Sequence, residues 1–81
     1  MSIGEAFGAV LRELRVQRGF SQEELGIAAE LSRGYVSQLE RAANVPTLTS
    51  LFALAAALEV DPSAIVARVE ELQPTTVGRF R

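Results

Sequence analysis

The chain has 81 residues, which is the length of one small domain. Its ten acidic side chains outnumber its eight basic ones, all of them arginine, so the formal net charge is −2 and no basic excess indicates a nucleic-acid or membrane-surface ligand. The sequence contains no cysteine and no histidine, which excludes disulfides, zinc sites built from the usual ligands, and catalytic triads that need a thiol or an imidazole.

The first five residues lack the basic segment that opens a signal peptide. The longest apolar stretch, residues 51–58, is far too short to span a bilayer. From these two features we expect a cytoplasmic protein with no membrane partner. The residue types present also give no reason to expect a metal, a cofactor or a small-molecule ligand.

Apolar residues recur at helical spacing along most of the chain, and short polar breaks separate the runs. The pattern predicts five helices, over about residues 4–18, 22–28, 33–40, 48–58 and 62–72. Gly19 ends the first because glycine readily adopts the left-handed conformation found at helix ends. Ser21 and Glu24 have capping-box spacing at the start of the second, and Asp61 followed by Pro62 is a strong start signal for the fifth. No strand pattern is present, so the predicted fold class is all-α.

Pro74 closes the fifth predicted helix, and no periodicity follows it. The chain therefore divides into a predicted domain over residues 1–73 and a predicted flexible C-terminal tail over residues 74–81.

The second and third predicted helices are short and are joined by a turn of a few residues, which is the geometry of a helix-turn-helix unit. Gly26 lies where a close crossing of the two helices needs a small side chain. The outward face of the third helix has few aliphatic residues and no acid; it carries Arg33, Gly34, Tyr35, Ser37, Gln38 and Arg41.

Three stretches of the sequence, LRELRVQRGFSQEEL, LSRGYVSQLER and PTLTSLFALAAALEVDPSAI, follow one another in an order and spacing that resemble the Xre family of bacteria and phages. This family comprises the Cro and phage-repressor type of helix-turn-helix regulators, and the resemblance covers about residues 5–70. The short length is similar to that of free-standing members, including the controller proteins of restriction–modification systems. The resemblance implies a five-helix Cro/phage-repressor-like domain that binds double-stranded DNA as a homodimer on a palindromic operator. The sequence leaves open whether binding represses or activates.

The resemblance also assigns roles position by position. The positions that meet base edges in the major groove are Arg33, Gly34, Tyr35 and Gln38. The positions that contact phosphates are Gln22, Ser32, Ser37, Arg41, Asn44 and Thr47. By their chemistry, an arginine at position 33 suits guanine O6 and N7, and a glutamine at position 38 suits adenine N6 and N7. A further family feature, an ion pair of Arg15 with Glu40, would tie the third helix to the first.

Some of these roles have a structural alternative. Gln22 also suits plain capping of a surface helix, and Tyr35 also suits a half-buried position with its hydroxyl at the rim. The sequence departs from the family pattern at Glu30, where the family has glycine; a left-handed Glu30 costs about 1–2 kcal/mol. Gly26 stands where alanine is usual, at a cost of about 1 kcal/mol in helix propensity. The absence of lysine leaves phosphate attraction to a few arginines.

The fifth predicted helix has a broader apolar stripe than a domain of this size needs for its core. We expect this helix to have a dual role, as part of the core and as part of a homodimer interface formed by Phe52 of the fourth helix with Ile65, Val66 and Val69, because large apolar patches on small proteins usually have partners. The alternative is that this helix only closes the domain core.

Two other classes of function remain. One is a helical protein-interaction module, such as an antitoxin or an anti-regulator, which the acidic balance favours and the acid-free face of the third helix disfavours. The other is an enzyme, which we do not expect because the sequence has no nucleophile–base pair, metal-ligand set or phosphate-binding loop.

Overall fold

The computed structural model describes residues 1–73, and this part of the chain is all-helical. Its helices are α1 (Ile3–Gln17), α2 (Gln22–Ala29), α3 (Arg33–Glu40), α4 (Leu48–Leu58) and α5 (Pro62–Leu72). The predicted bounds of α3, α4 and α5 are those of the structure, while α1 lies one residue earlier than predicted and α2 extends one residue further. The predicted C-terminal tail, residues 74–81, lies outside the described residues.

Polar residues start the helices. Ser21 and Glu24 form the predicted capping box: Glu24 N donates to Ser21 Oγ at 3.0 Å, and Ser21 N donates to Glu24 Oε1 at 2.8 Å. Ser2 begins α1 with a second capping box. Asp61 occupies the predicted cap position before Pro62, although its side chain accepts no capping hydrogen bond.

Four helices end at a left-handed residue, and these residues are Gly19, Glu30, Ala42 and Glu59. At each end the next N–H donates back to the carbonyl five residues earlier, for example Leu31 N to Gly26 O at 2.7 Å. This is the Schellman arrangement, which satisfies carbonyls that the helix itself leaves unpaired. Only the first of the four is a glycine. Glu30, with φ of 58°, is strained because its side chain disfavours the left-handed conformation. The glycine that the family has at this position would adopt the same conformation without that cost.

The core lies between all five helices and consists of aliphatic side chains with one phenylalanine. Its most completely buried large residues are Leu11, Leu25, Leu39, Leu54, Leu58, Ile65, Val10 and Val36. α1 packs against α3 and α5, and α2 packs against α3 and α4. Because the core draws on both ends of the chain, the α2–α3 pair rests on a scaffold made by the other three helices.

Two glycines permit close approaches within this scaffold. A Cβ on Gly8 would lie 2.6 Å from the Leu39 carbonyl oxygen and 2.8 Å from that of Glu40, so α1 touches the backbone at the end of α3. A Cβ on Gly26 would lie 2.6 Å from the carbonyl oxygen of Leu31. The alanine usual in the family would clash there, which explains why this chain has glycine despite its lower helix propensity.

Ile65 is only 1% exposed and belongs to the core. Its predicted place in a dimer interface is therefore wrong for this structure, because its side chain is already buried within its own subunit. Helix periodicity did not separate it from Val66, which is half exposed on the adjacent surface of α5.

No single helix among residues 1–73 is long and apolar enough to span a membrane. α4 and α5 reach that length and hydropathy only when taken together, and they are bent by 107° relative to each other.

Candidate nucleic-acid interface

α3 has one buried face and one exposed face. Val36 and Leu39 are completely buried and fix the helix on the core. Arg33, Gly34 and Gln38 are exposed on the other side, where the sequence predicted the base-reading positions. The 3.6-residue period alone produces this division, because the two apolar residues are three apart and the polar positions lie between and around them.

A cluster around Glu40 holds the C-terminal end of α3 in place. Arg15 donates from Nε to Glu40 Oε2 at 2.6 Å and from Nη2 to Oε1 at 3.0 Å, so the ion pair predicted for these two residues is present and bidentate. Arg15 Nη1 also donates to the carbonyl oxygen of Phe20 at 2.9 Å, and Gln22 Nε2 donates to Glu40 Oε1 at 3.1 Å. One carboxylate thus connects α1, the start of α2 and the end of α3.

Glu40 lies almost entirely out of solvent, with 5% of its side chain exposed, compared with 13% for Arg15. The hydrogen bond to Glu40 raises the pKa of Arg15, and partial burial opposes that rise without cancelling it. The guanidinium of Arg15 therefore stays charged and lies against the carboxylate of Glu40. The only acid in α3 does not project a charge onto the exposed face of the helix.

A second cluster ties the start of α3 to α4. The Tyr35 hydroxyl donates to Ser50 Oγ at 3.1 Å, and Thr47 Oγ1 donates to the same oxygen at 3.0 Å. Ser50 N in turn donates to Thr47 Oγ1 at 3.0 Å, which caps α4. Tyr35 is therefore half-buried, with its hydroxyl bound to a neighbouring helix, in line with the structural alternative for this residue.

The exposed face of α3 and the loop after it carry positive charge. Within residues 1–73, neither Arg33 nor Arg41 forms a salt bridge with a carboxylate. Arg41 Nε instead donates to Ser37 Oγ at 3.2 Å, one helical turn back. The carboxylates that do pair with arginines on the surface lie on α1, α5 and the end of α4. None of the carboxylates in these surface salt bridges lies on α3.

Comparison with known proteins agrees with this geometry. The helix-turn-helix domain family matches residues 6–67. The chain belongs to the helix-turn-helix domain family. An uncharacterized HTH-type transcriptional regulator, y4dJ of Sinorhizobium fredii, is 34% identical over 71 residues, which are 88% of this chain and 92% of y4dJ. The relatives found this way are named as transcriptional regulators and repressors, not as enzymes.

Solved structures give the same result for the fold. The clp gene regulator ClgR from Corynebacterium glutamicum superposes with a TM-score of 0.85 at 26% identity, covering 98% of this chain and 84% of ClgR. The restriction–modification controller protein C.AhdI from Aeromonas hydrophila superposes with a TM-score of 0.75 at 39% identity, covering 76% of this chain and 94% of C.AhdI. These similarities confirm the all-α, Cro/phage-repressor-like fold and the family resemblance expected from the sequence. The chain spans less than half of some longer relatives, such as 41% of the immunity repressor of Bacillus phage phi105.

In this helix-turn-helix regulator, the residues predicted to contact phosphates surround α3. Gln22 lies at the start of α2, Ser32 caps α3, and Thr47 caps α4. Each of these side chains already has a partner within the protein, so all three help to build the domain. The sequence did not single out Ser50, because its contact with Tyr35 depends on how α3 and α4 pack.

A separate apolar groove lies away from α3, between the start of α1, the loop before α4, and α5. It measures about 620 Å³ and is lined mainly by apolar side chains, including Ile3, Val45, Val66 and Val69. Val66 is 51% exposed, and Phe52 on α4 is 58% exposed. Of the remaining predicted interface residues, Phe52 and Val66 thus lie on the surface, while Val69 is partly buried against the core. No group of three or more metal-binding side chains is present among residues 1–73.

Proposed function

We propose that the chain is a sequence-specific DNA-binding transcriptional regulator that acts as a homodimer on a palindromic operator. α3 of each subunit enters the major groove, with Arg33 and Gln38 at the base edges and Gly34 allowing the backbone to approach closely. The single observation that carries this proposal is the exposed face of α3 with the residue after it, where Arg33 and Arg41 have no carboxylate partner among residues 1–73 and no acid of α3 is exposed. A cytoplasmic location follows from DNA as the partner.

The hydrogen bonds that hold α3 in place favour sequence-specific recognition of bases over nonspecific electrostatic binding to DNA. The Glu40 cluster fixes one end of the helix, and the Tyr35–Ser50 bond fixes the other. Base recognition needs side chains held within a fraction of an ångström, which such buried hydrogen bonds provide. In this proposal Tyr35 acts mainly through the position of α3, because its hydroxyl already has a partner.

Phosphate contacts come from the residues around α3. Gln22 donates one Nε2 hydrogen to Glu40, and the second hydrogen is left for a phosphate oxygen. The side chains of Ser32, Ser37, Arg41, Asn44 and Thr47 and the backbone N–H groups at the start of α4 extend the set. Such contacts position the domain on DNA without reading sequence.

Dimerisation supplies the affinity that a chain with net charge −2 lacks. The proposed interface uses Phe52, Val66 and Val69, together with the apolar groove beside α5. Because a monomer gains nothing from exposing this much aliphatic surface, a second copy is the partner that the proposal assigns. Two copies of α3 then meet half-sites about 34 Å apart, one turn of B-DNA.

The test is selection from random duplex DNA at moderate salt, followed by sequencing of what the protein retains. We expect enrichment of a palindrome with one-turn spacing between half-sites. Arg33→Ala should weaken binding to it by about 1–3 kcal/mol and relax one base position. Arg68→Ala is the matched control, because it removes the same charge from the surface of α5, where Arg68 forms salt bridges with Glu13 of α1 and with Glu71.

Equal loss of affinity for all sequences in Arg33→Ala would show that this residue contacts phosphate instead of bases. Retention of no DNA, at low salt as well, would refute the proposal. Capture of one specific protein by the same preparation would then favour the helical protein-interaction module, such as an antitoxin or an anti-regulator.

A further inference from the structure

We infer that the apolar groove beside α5 binds the chain's own residues 74–81, with Val77 and Phe80 as the side chains that enter it. This docking goes beyond the proposed function and does not depend on DNA binding. It gives the predicted C-terminal tail a role, which is to cover apolar surface that residues 1–73 leave open to water.

The groove gathers exposed aliphatic side chains around one concave surface. Among its lining residues, Phe7 and Leu51 are buried in the core, whereas Ile3, Val45 and Val66 are each at least half exposed. Removing apolar area from water is favourable, and contiguous apolar surface on a small protein usually has a partner. An apolar occupant is therefore favoured in this groove.

Residues 74–81 begin at the edge of the groove. Gln73, the last residue that the structure describes, lines it, and so do Glu70 and Val66 earlier on α5. α5 therefore runs along the groove, and the chain leaves α5 beside it. Pro74 comes next, and proline suits the second position of a reverse turn. A turn at this point directs the following residues back along α5.

The length of the segment fits the groove. Val66 and Gln73 are seven residues apart, which corresponds to about 10 Å of helix. If residues 73–76 form the turn, Val77 lies near Gln73 and the chain then runs back toward Val66. In a polyproline II conformation, residues three apart share one face and are separated by about 9 Å. Val77 and Phe80 have this spacing, so both side chains can enter the groove.

The composition of the segment also matches the lining of the groove. Val77 and Phe80 are its large apolar side chains, and the phenylalanine has an arginine on each side. Glu70 is the one charged residue that lines the groove, and it forms no salt bridge with an arginine among residues 1–73. The apolar side chains supply the affinity, and the opposite charges add a small contribution because they meet at an exposed site.

The chain's own segment suits the groove better than a second copy does. A two-fold interface brings the same surface of both copies together, so two grooves would face each other and neither would fill the other. Residues 74–81 are tethered at the edge of the groove, which gives them an effective concentration of the order of millimolar. In the proposed function, the filled groove then joins Phe52 and Val66 in the surface that meets the second copy.

Phe80→Trp supplies a probe for this docking, because the sequence contains no tryptophan. We expect its fluorescence to lie at shorter wavelength than in the urea-unfolded chain and to be quenched severalfold less by acrylamide. Adding Val66→Glu or Val45→Glu places a charge in the groove and should return both signals to those of the unfolded chain. Val16→Glu is the matched control, because Val16 is exposed on α1 outside the groove, and it should change neither signal.

Dilution distinguishes the chain's own segment from that of a second copy. We expect the short-wavelength fluorescence to persist at concentrations where sedimentation shows a monomer. Its loss on dilution would show that a second copy fills the groove and would overturn the inference. Fluorescence like that of the unfolded chain at every concentration, or no response to Val66→Glu and Val45→Glu, would overturn it as well. Circular dichroism checks that each variant is folded, and the selection of DNA tests the proposed function separately.

Discussion

The left-handed residue between α2 and α3 gives a sharp test of the turn geometry. Glu30 has φ of 58° and ψ of 41°, where a Cβ costs about 1–2 kcal/mol. Glycine removes that cost but gains about 0.5–1 kcal/mol of extra entropy in the unfolded chain. We therefore expect Glu30→Gly to stabilise the domain by about 0.5–1 kcal/mol, which raises Tm by about 2–8 °C for a domain of this size.

The assay is thermal and urea unfolding followed by circular dichroism, at one fixed protein concentration because the proposed dimerisation would add to apparent stability. Two controls isolate the cause. Glu30→Ala keeps the Cβ and removes the carboxylate, so it should leave Tm nearly unchanged if backbone strain is the reason. Ala28→Gly, at an exposed helical position of α2, should destabilise by about 1 kcal/mol. Destabilisation by Glu30→Gly, or equal stabilisation by Glu30→Ala, would refute the strain argument.

Three further predictions concern packing, the Glu40 cluster and assembly. Gly8→Ala should destabilise by about 1–3 kcal/mol in urea unfolding, because the new Cβ meets two carbonyl oxygens, whereas Gly4→Ala, whose Cβ would have its nearest neighbour at 3.4 Å, should not. Glu40→Gln should cost about 2 kcal/mol or more in the same assay, because it leaves the guanidinium of Arg15 without a counter-charge in a mostly buried site; a neutral effect would contradict the role given to this pair. Val66→Glu should shift sedimentation from dimer to monomer without lowering helix content; an unchanged dimer would place the interface elsewhere.

Helix bounds were predictable because local features encode them. Capping boxes, the Asp61–Pro62 start and the spacing of apolar residues act within one or two turns, so they can be recognised in the sequence itself. The left-handed state of Glu30 was foreseen only as the family's requirement. Ala42 and Glu59 carry no such sequence signal, because neither residue type favours positive φ.

The sequence predicted which face of the third helix is exposed, but it did not predict the hydrogen bonds that hold residues of this site. The period of α3 separates Arg33 and Gln38 from the buried residues. The bonds from Tyr35 to Ser50 and from Asn44 to Gln38 depend on the packing of α3 and on the turn after it, which no local pattern specifies. Ile65 shows the same limit, since a broad apolar stripe does not reveal which of its members face the core.

In the proposed function, α3 reads base edges in the major groove of two half-sites on one face of DNA. Methylation interference on the selected duplex tests this most directly, because dimethyl sulfate modifies guanine N7 in the major groove. We predict interference at guanines in two patches about one helical turn apart, with one guanine in each patch losing its effect in Arg33→Ala. Interference in a single patch, or a pattern identical in wild type and Arg33→Ala, would contradict base reading by α3 at two half-sites.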